Sequence, residues 1–246
     1  MLHRFETIDS TNTYLKQLAE AGAEGGTAVI AHSQTGGRGR LGRSFHSPAG
    51  SGIYLSYLLR PNCKPEGLMH LTCAVAVAMC DAVEKATGLR PGIKWTNDLV
   101  WQKRKLGGIL TELGFENGLV SYAVVGIGIN CTQKAEDFPE EIQSIATSLA
   151  AVTGKPVDIA SLEREMLSTL ETMAQTLADK ETVLAKYRSD CVTLGQQVCV
   201  VRADEVTHGT ALDVDGDGAL VVRFEDGSVH AVSSGEVSVR GMYGYL

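Results

Sequence analysis

The stretch Gln34-Thr35-Gly36-Gly37-Arg38-Gly39-Arg40-Leu41-Gly42-Arg43 decides between fold classes. Gly37, Gly39 and Gly42 match the spacing G-x-G-x-x-G. In a dinucleotide-binding unit such glycines open a helix, and an acid stands about 20 residues further on. Here the apolar run 53–59 reads as a strand, and the first acid beyond the glycines is Glu66. A kinase glycine loop is excluded as well, because no Val follows the last glycine and no catalytic loop of that class occurs. The chain is therefore not a doubly wound nucleotide-binding fold. What stands is a flexible loop with three guanidiniums between residues 38 and 43. Glycines let a backbone close over a ligand, and arginine forks pair bidentately with phosphate or carboxylate. A solvated loop or an RNA contact stays open at this level, although aromatics for base stacking are missing apart from Phe45.

Charge around the loop is uneven. The 246 residues carry a net charge of −7, yet no carboxylate lies between Glu24 and Glu66, where Arg38, Arg40, Arg43, Arg60 and Lys64 stand. Residues 191–246 hold three arginines against eight acids. An acidic total argues against a general nucleic-acid or anionic-membrane binder, and the acid-free stretch points to one specific anion at one place. The length allows one large domain with a small appendage. The N-terminus lacks the apolar core of a signal peptide, and the longest uncharged apolar run, 67–80, is too short to span a bilayer. Six cysteines without a C-x-x-C pair read as reduced thiols of a cytoplasmic protein, and six scattered histidines argue against a dedicated zinc site.

Patterning predicts the elements. Asp9-Ser10-Thr11 precedes a short capped amphipathic helix that Gly22 ends, and 27–33 and 53–59 are strands flanking the glycine-rich segment. A long helix opens at Pro65 and stops near Gly88. Residues 93–112 give two short strands around a basic turn, and Asn117-Gly118 makes a hairpin turn into the apolar strand 119–129. Three helices follow, the clearest capped by Asp158, with Leu162, Met166, Leu170, Met173 and Leu177 as its stripe. After Cys191 the period falls to two, with strands expected at 197–203, 207–214, 219–224, 228–233 and 236–240, enough for a small closed barrel. The domain boundary is expected near residue 190.

Three further segments carry polar chemistry. Lys94-Trp95-Thr96-Asn97-Asp98-Leu99 ends a short strand with an ammonium, an amide and a carboxylate suited to a phosphate and its Mg²⁺, though a plain Asn-Asp turn accounts for much of it. Lys103-Arg104-Lys105 is either a solvated turn or the start of a strand that aims Lys105 into a site. Gly126-Ile127-Gly128-Ile129-Asn130 ends the central strand, where its glycines permit close backbone approach. The run Asp213 to Gly218 resembles an EF-hand start but has Phe224 at position twelve and reads as a turn.

In order and spacing these segments, with Ser10-Thr11-Asn12 and Lys105-Leu106-Gly107-Gly108-Ile109-Leu110, resemble the biotin protein ligases over nearly the whole chain. The segment 234–240 resembles that family's small C-terminal domain. Thr96 stands where the family usually has Pro, and Phe45 where it usually has Trp. The resemblance implies an α+β fold: a mixed β-sheet catalytic domain with flanking helices, of biotin/lipoate ligase and class II synthetase type, over 1–190, and a small C-terminal SH3-like β-barrel over 191–246. It implies two steps. Biotin's carboxylate attacks the α-phosphorus of ATP, and a lysine of a biotin carboxyl carrier protein or carboxylase biotinyl domain then takes the biotinyl group from the adenylate. Both are positioning and charge stabilisation, without a nucleophile of the enzyme, in keeping with a sequence that shows no nucleophile elbow and no obvious Cys–His pair.

Residue by residue, the resemblance implies that Ser10, Thr11, Asn12 and Gln34 hold biotin. Gly37, Arg38, Gly39 and Arg40 close over the adenylate, with Arg40 retaining it. Lys105 acts between carboxyl and α-phosphate, and Lys94 faces the phosphates. Asp98 contacts Mg²⁺, Phe45 packs on the ligand, and Gly107 and Asn130 belong to the binding surface. ATP with Mg²⁺ and biotin are the small molecules expected, with no tightly bound prosthetic group, no nucleic-acid or membrane partner, a cytoplasmic location and room for a homodimer. Regulatory members carry a DNA-reading domain of about 60 residues ahead of the Ser-Thr-Asn motif, whereas here that motif starts at residue 10, so no repressor activity by that route is expected. A lipoate-type ligase and a non-catalytic nucleotide- or RNA-binding protein are the competing readings.

Overall fold

The apolar runs at 53–59 and 119–129 become neighbours at the centre of one sheet. The structure, a computed structural model, describes residues 1–202 and 205–233, and the backbone of 238–241. Seven strands form the first sheet: β1 (Leu2–Ile8), β2 (Ala28–Gln34), β3 (Gly52–Leu59), β4 (Gly92–Lys94), β5 (Asp98–Trp101), β6 (Arg104–Glu116) and β7 (Leu119–Asn130). Their order is β1-β2-β3-β7-β6-β5-β4, with β1 parallel to β2 and every other pair antiparallel, so the sheet is mixed. β3 is buried along its whole length, as a central strand covered on both faces must be.

Two differences from the sequence reading have simple causes. β1 has no counterpart there, because Leu2–Ile8 is an edge strand whose residues are mostly exposed or half-buried and show no clean apolar alternation. The span 93–112 holds three strands rather than two. A three-residue β4 precedes the Lys94-to-Asp98 turn, and Gln102 and Lys103, both at positive φ, turn β5 into the long β6.

Helix α1 (Thr11–Glu20) starts where the Ser10 hydroxyl accepts the Thr13 N–H, and packs Leu15 and Ala19 on Val29, Leu58 and Val124. The alternate residues Ala28, Leu59 and Val125 point to the opposite face, where the main core lies. That face is covered by α2 (Leu71–Thr87), α4 (Ile159–Thr176) and α5 (Lys180–Asp190), with the one-turn α3 (Leu149–Thr153) near the end of β7. The helix expected from Pro65 is split: Pro65–Leu68 is a 3₁₀ turn, and α2 begins after His70 and ends at Gly88, whose φ of 74° is the left-handed cap conformation that glycine adopts at least cost. Pro65–Thr87 as a whole has the length and hydropathy of a membrane span. Most of it is buried inside this protein, which is what the helix under a seven-stranded sheet requires.

The C-terminal strands form a second, antiparallel sheet in the order β11-β10-β9-β8-β12: β8 (Gln197–Arg202), β9 (Glu205–Val214), β10 (Leu220–Phe224), β11 (Val229–Val232) and β12 (Ser238–Gly241). This is the strand set of a small barrel, at the positions that the period-two pattern gives. Of the last expected strand and the segment 234–240, residues 234–237 lie outside the described residues. Val198, Val200, Ala211, Val214, Leu220 and Val222 continue the main core, and the Trp95 indole N–H donates to the Gly218 carbonyl at 3.0 Å. Asp215 accepts the N–H groups of Asp217 and Ala219, so the acidic segment is an Asx-type turn, as expected.

Candidate active site

Loop 34–46, the β4–β5 turn, the start of β6, the end of β7 and segment 138–146 enclose a cavity of about 480 Å³. Its floor is polar and already hydrogen-bonded. Gln34 Oε1 accepts from Thr11 N at 2.9 Å and from Thr11 Oγ1 at 3.1 Å, while Gln34 Nε2 donates to Ser47 Oγ. Asn12 donates to the Leu110 carbonyl and to Glu112 Oε2, and receives the hydroxyl of the fully buried Ser56. A Cβ at Gly126 would stand 2.1 Å from Asn12 Oδ1, so glycine at that place in β7 is what admits the Asn12 amide.

The arginine loop is a small hairpin. Phe45 N donates to Gly37 O and Gly39 N to Arg43 O, with Leu41 and Gly42 in the left-handed region at the tip. Gly37 lies at its base, where a Cβ would fall 2.5 Å from Phe45 O, and Gly107 packs equally close to the β7 backbone at Gly128 O. Neither lines the cavity, unlike the other expected residues. Phe45 rests its ring on the bare backbone of Gly128, which a Cβ would push to 2.4 Å, and beside the Lys105 ammonium, 5.9 Å from the ring centre.

Charged groups converge from the opposite wall. Lys105 Nζ pairs with Asp98 Oδ1 at 2.6 Å. Lys94 is buried at the end of β4 and lines the same cavity. Arg40 reaches across the mouth to Asn97 Oδ1 at 3.1 Å, and Asn97 is fixed by its own bonds to both the N–H and the C=O of Ile109. Burial pulls the Arg40 guanidinium below its ordinary pKa against the opposing charge of Asp98, with Arg43 adding to the depression. Asn130 donates to the Thr147 carbonyl, which holds the segment carrying the apolar wall of Phe138, Ile142, Ile145 and Ala146. Against that wall His46 encloses its Nε2 without a hydrogen-bond partner among the described residues.

His46 and Glu112 have no role that the sequence assigns, and Asn97 figures there only as the amide of its motif. The partners that give Asn97 and Glu112 their meaning, Arg40 for one and Lys16 and Arg38 for the other, are far away in sequence. Cys199 and His208 meet across the β8–β9 hairpin, their Sγ and Nδ1 3.3 Å apart, and neither lines the cavity.

Residues 4–130 match the Biotin/lipoate A/B protein ligase family and residues 193–240 the Biotin protein ligase C terminal domain. The chain belongs to the biotin protein ligase family. It is 34% identical to the bifunctional ligase/repressor BirA of Bacillus spizizenii over 90% of this chain and 69% of that protein. It is 33% identical to the biotin–[acetyl-CoA-carboxylase] ligase of Mycobacterium tuberculosis, over 93% of this chain and 85% of the relative. Among solved structures, the biotin protein ligase from Aquifex aeolicus in complex with biotin and ATP superimposes with a TM-score of 0.84 at 32% identity, covering 98% of each chain.

Proposed function

We propose that this chain is an ATP-dependent biotin protein ligase that forms biotinyl-5′-AMP and pyrophosphate, then transfers the biotinyl group to the amine of a lysine of a biotin carboxyl carrier protein or carboxylase biotinyl domain, with AMP as the leaving group. The observation that carries the reading is the convergence of Lys105, Lys94 and Arg40, from three separate segments, on one cavity with a hydrogen-bonding floor and an apolar wall. Ser10, Thr11, Asn12 and Gln34 form a floor suited to a ureido ring. The wall around Phe138, with the orphan His46 nitrogen, suits a flat heteroaromatic group.

In the first step a carboxylate must approach a phosphate, so negative charge builds where two anions meet. Lys105 supplies an ammonium there once it leaves Asp98, and Lys94 faces the phosphates. A preorganised donor of this kind is worth about 3–4 kcal/mol in the transition state. Arg38, Gly39 and Arg40 close over the adenylate, and Arg40 keeps it from water until the acceptor amine arrives. Gly37 and Gly107 act through backbone packing, Phe45 and Asn130 through the cavity wall. The lining offers one carboxylate, Asp98, and the described residues contain no cluster of three or more His, Cys, Asp or Glu. That set fits Mg²⁺ brought in on the nucleotide phosphates with its waters, Asp98 being the protein oxygen within reach. Residues 1–190 would be the catalytic unit and 191–246 a second domain.

The test is mass spectrometry of a biotin-acceptor domain incubated with this protein, biotin and MgATP. The acceptor gains one biotinyl group; no mass shift overturns the proposal, and a shift with lipoate alone assigns the related ligase chemistry instead.

A further inference from the structure

Glu112 stands on β6 outside the cavity lining, yet three donors from two different elements meet on its carboxylate. Arg38 Nη2 lies 3.1 Å and Lys16 Nζ 3.0 Å from Oε1, and Asn12 Nδ2 lies 3.0 Å from Oε2. Burial pushes this carboxyl up, but the Asn12 and Lys16 hydrogen bonds and the Arg38 charge outweigh it and hold it below its ordinary pKa. Asn12 cannot give way, being wedged against Gly126 and bonded to Ser56 and Leu110. The carboxylate is therefore a fixed point, anchored from beneath by the helix and strand that form the floor.

The group it holds at its outer side belongs to the least supported part of the site. The hairpin 37–45 carries Arg40 and Phe45 and presents its tip residue Leu41 to solvent. The Arg38 side chain is about half exposed, so without Glu112 its guanidinium has water as its alternative partner. Arg40 is tied to Asn97 on the other side. We infer that Glu112 is the positioning residue of the arginine loop: by holding Arg38 it fixes the angle at which the hairpin presents Arg40 and Phe45 to the cavity. The effect on turnover rests on the ligase reading above; the effect on the loop does not.

The test compares wild type, Glu112→Gln, Arg38→Ala and the double variant by two readouts. The first is the rate of trypsin nicking after Arg40 and Arg43 in the ligand-free protein. The second is the KM for biotin against kcat in biotin-dependent ATP–pyrophosphate exchange. Loss of the anchor is expected to raise nicking and the KM for biotin about 5- to 30-fold, the factor that corresponds to one or two kcal/mol. In Glu112→Gln, which leaves every cavity-lining residue in place, the kcat at saturating biotin should change far less than KM. The double variant should be no worse than Arg38→Ala alone, because the two residues act through one contact. A merely structural role would instead lower stability and give losses that multiply. Wild-type nicking in Glu112→Gln, or multiplying losses, overturns the inference. If Glu112→Gln fails to fold, Arg38→Gln breaks the same ion pair from its exposed end and must raise nicking equally; unchanged nicking there overturns the inference too. Absence of exchange in every protein, wild type included, refutes the ligase reading, while nicking still decides the anchor.

Discussion

Replacing Lys105 separates chemistry from stability. Its backbone N–H donates to Ile145 O at 2.7 Å and its C=O accepts from Thr147 N at 2.9 Å, and both bonds survive any substitution. The side chain contributes an ammonium 2.6 Å from Asp98 and a methylene stem over Gly108. With Lys105 28% and Asp98 15% exposed, the pair is partly buried and incompletely screened, and its loss is expected to cost about 1–2 kcal/mol of stability. In a domain of this size each kcal/mol lowers Tm by about 2–4 °C. The catalytic loss is expected to be much larger, because a preorganised donor at developing charge is worth about 10²–10³ in rate, or about 3–4 kcal/mol. Lys105→Ala and Lys105→Met are compared by ATP–pyrophosphate exchange with biotin and by thermal unfolding; the Met variant keeps the stem and removes only the charge. Both should lose exchange by at least about a hundredfold while melting close to wild type. Wild-type exchange in Lys105→Met would refute the role of the ammonium. A fall in Tm several times larger than expected would show that the loss reflects folding.

Arg40→Gly is expected to retain adenylate formation but release the adenylate, so that lysines of a bystander protein become biotinylated; labelling confined to the acceptor would refute the retention role. Trp95→Phe removes the donor to Gly218 O between the two sheets and leaves a buried carbonyl unpaired, at a cost of about 1–3 kcal/mol read as a lower Tm. An unchanged Tm would mean that the indole does not anchor the C-terminal sheet. Glu112 has a folded pKa below its ordinary 4.5, so the stability it supplies is complete above that value and is lost as pH falls through the folded pKa. The Tm difference between wild type and Glu112→Gln should therefore be largest near neutral pH and shrink in acid; a constant difference would refute that linkage.

The parts of the site legible in the sequence are those whose meaning is local. Gly37 and Gly42 announce a tight loop, Ser10 a cap, and Asn117-Gly118 a hairpin, because each answers a backbone requirement within a few residues. The strands at 53–59 and 119–129 are legible as nearly continuous apolar runs, interrupted only by Ser56 and Ser121. β1 was not, since an edge strand next to solvent has no need of apolar alternation. Glu112 escaped for a different reason: it is one exposed-looking acid in a strand, and its partners lie 74, 96 and 100 residues away. Cys199 and His208, nine residues apart, escape for another reason, since antiparallel register rather than motif spacing brings them together.

The acid-free loop is not without counter-charge. Its arginines rest on groups from other strands, Arg38 on Glu112 of β6 and Arg40 on Asn97 beside Asp98 at the start of β5, while Lys105 rests on Asp98 itself. An incoming ligand therefore does not fall into bare positive charge but has to exchange with internal partners, several at once. Chloride brings a single charge and can replace one of these contacts at a time. A molecule with several anionic oxygens at fixed spacing can release two or three together. On the ligase reading, such a site would favour a polyphosphate over a lone ambient anion.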